Sequence, residues 1–286
     1  MALPEAIRSR IEAIRRNRTS GAVELAVAAA EALALAAGVS RGVLREAARA
    51  LVNAQPAMAP LFNLANTCLL AEDPARACRE FAGRIESSSR AAASHAAALI
   101  AGKSVILTHS RSSTVEAAFR AALAAGSLFR VIATESRPLA EGVRLAEALG
   151  EQGIGVTLVV DAAIYRMLPE ADLALTGADA VSVAGLVNKA GTALLGLAAA
   201  RLGVPFYALC STEKFLPAAA RLKPETARDG GEILDRPLVN VVPANYYFDT
   251  TPLDVVAGIV TEEGVLAPEA VLDRLRAMPV DEALAD

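Results

Sequence analysis

The sequence predicts an α/β protein: an N-terminal all-helical domain followed by a Rossmann-like, doubly wound parallel sheet. Three observations carry this. Residues 1–101 show helical spacing with almost no β-branched clusters. Beyond Gly102, short apolar runs alternate with amphipathic stretches of 10–15 residues, the pattern of βαβ units whose strands are covered on both faces. The length of 286 residues suits a division into 1–101 and 102–286.

In the first half, Glu5–Asn17 reads as a helix. Ser20 is the expected N-cap of a second, because its hydroxyl can accept a free backbone N–H, and Gly38 is its expected end. Ser40 opens a third helix, Gln55-Pro56 interrupts the chain before a fourth, and Asp73-Pro74 supplies a cap and a first-turn proline for a fifth reaching Ile100. In the second half, strands are expected at 104–108, 129–134, 156–160, 172–176 and 205–209. Helices are expected at 112–125, 138–152 and 188–202, with a short one at 162–168. In such a sheet the ligand crevice lies beyond the carboxyl ends of the strands.

Composition excludes several classes. A net charge of −4 disfavours nucleic acid as partner. No run reaches the ~18 uninterrupted apolar residues of a membrane span. The arginines of residues 8–18 followed by an alanine-rich stretch imitate a targeting segment, but Glu5, Glu12, Glu24 and Glu31 interrupt both parts. Three scattered cysteines (Cys68, Cys78, Cys210) form no disulfide framework, so a reducing, cytoplasmic setting is expected. With His95 and His109 the only histidines, no metal-ligand spacing exists. No cofactor is expected either. The cluster Gly150, Gly153, Gly155 precedes a strand, whereas a dinucleotide fingerprint follows one, and no P-loop or nucleophile elbow is present.

Polar chemistry gathers at the expected strand ends. Ser110, Arg111, Ser112 and Ser113 precede a helix, where hydroxyls, a cation and free N–H groups can cradle an anion, or Ser112 or Ser113 can simply cap it. Glu135 and Arg137 either pair or shape a pocket. Asp179, after the fourth strand, either points into the crevice as an acid–base group or caps a loop. Asn188 and Lys189 are expected to open the next helix, and Lys214 follows the fifth strand. Together these residues point to a small phosphorylated metabolite as ligand.

At these residues the chain resembles the family containing the alpha, beta and delta subunits of translation initiation factor 2B, ribose-1,5-bisphosphate isomerase and methylthioribose-1-phosphate isomerase. The resemblance rests on VILTHSRSSTV (105–115), VIATESRPLAEGVRLAEAL (131–149), LTGADAVSVAGLVNKAGT (175–192), PFYALCSTEKF (205–215) and FDTTPLDVVAGIVTEEGVLAP (248–268). It implies a helical domain joined to a Rossmann-like one, and a homo-oligomer, commonly dimer-based. The aromatics of Ala244–Asp249 are candidate interface residues, or pack beneath the sheet edge. The isomerases move a proton between adjacent carbons with a cysteine as acceptor and an aspartate as donor. Asp179 matches the aspartate, and Asn188, Lys189 and Lys214 match ligand-contacting positions. Ser110 stands where the isomerases have the cysteine. Thr19-Ser20-Gly21-Ala22 replaces an Arg-Gly-Ala, with Arg18 nearby, and Gln55-Pro56 replaces an Arg-Pro, so two phosphate-clamping arginines are missing. The resemblance therefore implies a protein that binds a phosphorylated sugar or nucleoside monophosphate without the isomerase thiol. The alternatives are an active isomerase of a phosphorylated pentose that uses another base, and a regulatory or assembly subunit that senses a metabolite.

Overall fold

The computed structural model describes residues 3–17, 20–220 and 225–285; Arg18 and Thr19 lie outside them. Five helices come first: α1 (Glu5–Arg16), α2 (Ala22–Val39), α3 (Arg41–Ala54), α4 (Ala59–Leu70) and α5 (Pro74–Ile100). Ser40 and Asp73 are the caps the sequence predicts, accepting from the Val43 and Arg76 amides. Two expectations fail. Gly21, not Ser20, is the N-cap residue of α2, and Ser20 instead exchanges hydrogen bonds with the Asn17 side chain. Gly38 lies inside α2, which ends at Val39.

By length and hydropathy α2 would suffice to cross a membrane. Leu25, Ala26, Ala29, Leu33 and Ala36, however, are buried among α1, α3, α4 and α5, so it is the central helix of a packed bundle. Cys68 and Cys78 form a disulfide between α4 and α5. This corrects the view of three unpaired cysteines: ten residues separate the two, and the turn between the helices brings them together.

The second half runs β1 (Val105–Thr108), α6 (Ser113–Ala124), β2 (Arg130–Thr134), α7 (Glu141–Glu151), β3 (Gly155–Val159), α8 (Ile164–Met167) and β4 (Leu173–Gly177). It continues with β5 (Ala180–Ser182), β6 (Gly185–Lys189), α9 (Thr192–Leu202), β7 (Phe206–Leu209), β8 (Phe248–Thr251), β9 (Gly258–Thr261), β10 (Gly264–Leu266) and α10 (Pro268–Ala277). The main sheet has the order β10-β9-β7-β4-β1-β2-β3, parallel except for β10, which pairs antiparallel with β9. The chain moves outward from β1 through β2 to β3, then returns to β4 on the other side of β1. The β1/β4 boundary is therefore the switch point at which such sheets open a crevice.

The five expected strands all form, within a residue or so of the expected limits. The antiparallel sheet β5-β6-β8 was not foreseen, and it corrects one assignment: Asn188 and Lys189 end β6, while α9 begins only at Thr192. The helical bundle docks on this half through α5, whose Ala92, Ala93, Ala96 and Ile100 join the core beneath β1 and α6. Asn63 of α4 donates to the carbonyls of Glu213 and Phe215, both at 2.7 Å.

Candidate functional site

A cleft of about 410 Å³ opens where the bundle meets the ends of β1 and β4. Its wall from the bundle is Ser20, Gly21, Ala22, Glu24 and Met58; the opposite wall is Ser110, Arg111, Ser113, Leu139, Glu141, Arg144, Asp179, Lys189, Tyr247 and Phe248.

Strained loops shape it. Ser110, Ser136 and Ala140 all have positive φ (66°, 61° and 53°), a region that non-glycine residues seldom occupy and that clusters at functional sites. The loops hold one another in place. The Ser110 amide donates to Ser136 Oγ at 2.8 Å, and the amides of Ser136 and Arg137 donate to the two carboxylate oxygens of Asp161 at 2.7 and 2.8 Å. Arg137 does not pair with Glu135; its guanidinium donates to the Glu232 carbonyl. Gly142 lets α7 sit against the end of β2, since a Cβ there would lie 1.7 Å from the Thr134 carbonyl oxygen.

His109 turns away from the cleft. It is 1% exposed, with Nε2 donating to the Ala190 carbonyl at 2.9 Å and Nδ1 facing Thr134 Oγ1 at 2.6 Å. Burial holds its pKa below the ordinary imidazole value, so the ring is neutral and both nitrogens are engaged. Ser110 therefore has no imidazole beside its hydroxyl.

Asp179 is fixed through its backbone. Its amide donates to the Val187 carbonyl at 2.9 Å, and its carbonyl accepts from Ala59 at the start of α4 at 3.2 Å. Burial pushes its carboxyl above the ordinary carboxylate range, although Lys214 and Lys189 pull the other way. Lys189 is buried and pairs with Glu141 Oε1 at 2.6 Å, and its ammonium lies over the rings of Tyr247 at 4.8 Å and Phe248 at 5.7 Å. The Glu141 Oε2 atom is buried with no partner among the described residues. Arg144, one turn along α7, faces the cleft without an ion pair among the described residues.

Several sequence-predicted residues stand elsewhere. Ser112 is the N-cap of α6, accepting from the Val115 amide, while Ser113 and Arg111 line the cleft. Asn188 is buried behind the wall, its amide donating to Thr192 Oγ1. Lys214 is buried too; its ammonium donates to the Ala178 carbonyl. Gln55 is only 7% exposed, and its amide donates to the carbonyls of Ile14 and Asn17 at 3.0 and 3.1 Å, satisfying the last turn of α1. None of Ser112, Asn188, Lys214 and Gln55 is among the cleft-lining residues. Tyr247 and Phe248 lie against Lys189, while Tyr246 of the same segment is half exposed.

Residues 16–268 match the profile of the Initiation factor 2 subunit family. The chain belongs to that family. A translation initiation factor eIF-2B subunit 2-like protein of Pyrococcus horikoshii is 39% identical over 279 residues, covering 93% of this chain and 98% of its own. A ribose 1,5-bisphosphate isomerase of Archaeoglobus fulgidus is 32% identical over 277 residues, with 90% and 88% covered. Among solved structures, a P. horikoshii translation initiation factor eIF-2B superposes with a TM-score of 0.82 at 36% identity, covering 93% of this chain and 98% of that one.

Within this initiation factor 2 subunit fold, the sequence reading missed Glu24, Met58, Leu139, Glu141, Arg144, Tyr247 and Phe248 as cleft residues. A signal for two of them was present. Glu141 and Arg144 sit three apart in EGVRLAEAL, and on a helix that spacing puts both on one face.

Proposed function

We propose that the protein binds a phosphorylated sugar or nucleoside monophosphate in the β1/β4 cleft and does not isomerise it. The observation that carries this reading is the absence of thiol and imidazole from the residues lining the cleft. By the family resemblance Ser110 stands for the isomerase cysteine, and a serine hydroxyl needs a partner to act as base or nucleophile near neutral pH. His109 is engaged on the far side. Cys210 offers no substitute: it is fully buried, and burial pushes its thiol up to about 12.

Phosphate recognition falls to the N-terminus of α6 with Ser113, and to Arg111 and Arg144. The helix end contributes free N–H groups, and guanidinium forks suit phosphate oxygens. Arg111 lines the cleft while pairing with Glu116 through Nε and Nη2 at 3.4 and 3.3 Å, so a phosphate bound there shares the guanidinium with that carboxylate. The test is a thermal-shift screen of the purified protein against ribose 5-phosphate, nucleoside monophosphates and ribose 1,5-bisphosphate. The expected result is stabilisation by at least one monophosphate that falls in Arg144→Ala. No shift with any of them would remove the reading.

A second reading, favoured by Asp179 and Glu141 facing one cleft, is an aldose–ketose isomerase that uses a carboxylate base. The homo-oligomer belongs to the proposal as well. Val239 and Val242 are 89% and 90% exposed and offer apolar surface for a second copy to cover. Light scattering at the mass of one chain would remove that part.

A further inference from the structure

His109 has no role in the binding proposed for the cleft, yet it joins the chain segments that shape it. It directly follows β1. Its Nε2 donates to the Ala190 carbonyl ahead of α9 at 2.9 Å, and its Nδ1 accepts from Thr134 Oγ1 at the end of β2 at 2.6 Å. Thr134 Oγ1 lies 3.2 Å from Ser136 Oγ, which also receives the Ser110 amide. The loop at 135–140 is clamped by Asp161, whose two oxygens take the Ser136 and Arg137 amides. The clamp holds Ser136 at a φ of 61°, a conformation that persists only while its surroundings enforce it. The same Asp161 Oδ1 that takes the Ser136 amide lies 3.8 Å from Nδ1 of His109.

We propose that His109 is a proton-operated latch: the neutral ring keeps the 135–140 loop closed, and protonation releases it. A proton on Nδ1 turns that atom from acceptor to donor. The hydroxyls can follow, because Thr134 Oγ1 can turn its hydrogen to Ser136 Oγ, and Ser136 Oγ its own to the Thr134 carbonyl at 3.3 Å. The charge has no such outlet. The ring is wholly buried, and it packs so closely on Gly191 that a Cβ there would lie 2.9 Å from Nε2, which leaves no room for water on that side. Among the described residues, three charged groups face it. Lys189 from the end of β6 opposes a cation, while Asp161, ahead of α8, and Glu141, at the start of α7, favour one. Glu141 Oε1 is already engaged by Lys189, so Asp161 is the counter-ion within reach. Asp161 can close on the imidazolium only by giving up the Ser136 amide, and water can reach the ring only by parting it from the loop. Either event opens the clamp. Leu139 of this loop lines the cleft, so release alters the wall of the site.

Burial holds the folded ring below 6.5, the value of a free imidazole. The latch is therefore at full strength above pH 6.5 and weakens as pH falls from there through the folded value. The test is amide hydrogen exchange of the full chain, read on peptides covering residues 135–141 and corrected for the intrinsic pH dependence of exchange. In wild type the loop should open up to about tenfold more often for each pH unit below 6.5, until the folded value is reached. His95 and His109 are the only histidines, so imidazole NMR resonances locate that value in the same protein. His109→Gln can still donate to the Ala190 carbonyl but takes no charge, and its loop should open equally often at every pH. Asp161→Asn guards against a folding defect in that variant. It should leave the loop less protected even above pH 6.5, and His109 should titrate lower than in wild type because an attracting anion is gone. Wild-type protection that stays constant as pH falls below 6.5 would overturn the latch, and so would an equal acid loss of protection in His109→Gln. Full protection in Asp161→Asn would overturn the clamp on which it acts.

Discussion

Asp179 shows how one carboxyl of the cleft is set by its surroundings. Its backbone is tied to β6 and to the start of α4, which holds the half-buried side chain in the cleft wall. Burial raises its pKa, and the direction fixes the sign of its effect on stability. The folded protein holds the proton more tightly than the unfolded chain. The stability tied to this group is therefore complete below pH 3.8, the value of a free carboxyl, and is lost as pH rises through the raised value in the fold. Above that window the ionised group opposes folding. Asp179→Asn should accordingly have a higher Tm than wild type at pH 7, with the advantage shrinking as pH falls toward 3.8. Melting curves between pH 4 and 8 measure this, and a variant less stable at pH 7 would show that Lys214 and Lys189 outweigh burial.

At the scale of elements, Gln55 separates a structural reading from a ligand reading. Its amide satisfies the carbonyl end of α1, and the side chain is buried. Gln55→Ala should destabilise the protein by about 1–3 kcal/mol through the orphaned carbonyls and leave ligand affinity in the cleft unchanged. Urea unfolding together with calorimetry would decide it; a fall in affinity at unchanged stability would return Gln55 to the site. The parallel strands could be read from the sequence because Val105–Thr108 or Leu173–Gly177 are continuous apolar runs, and the caps at Ser40 and Asp73 because capping is local chemistry. The β5-β6-β8 sheet could not be read in the same way. Its strands are three to five residues long, and β8 comes from nearly 60 residues later in the chain. Asn188 and Lys189 consequently looked like a helix start. In the cleft, Ser110, Arg111, Ser113 and Asp179 were legible because they follow expected strands, and Lys189 because the family resemblance marks it. Tyr247 and Phe248 were not, since their place depends on how β8 packs around Lys189, and the spacing of Glu141 and Arg144 showed a shared helix face but not that it turns to the cleft.

For the whole molecule, the cleft exists only because the bundle covers the sheet's switch point: Ser20–Ala22, Glu24 and Met58 close one wall, and the β1 and β4 ends form the other. Ligand binding should thus couple to the docking of the two halves, which rests on α5, on Asn63 and on the Ala59–Asp179 backbone bond. The proposal that this shared cleft binds without converting its ligand makes one demand. The measurement is the conversion of ribose 1,5-bisphosphate to its ketose by wild type and by Asp179→Asn, followed by direct detection of the product. The account predicts no turnover by either protein, since no thiol or free imidazole stands at the cleft to take the carbon proton. Robust turnover by wild type that disappears in Asp179→Asn would contradict it and make the chain an isomerase working with a carboxylate base.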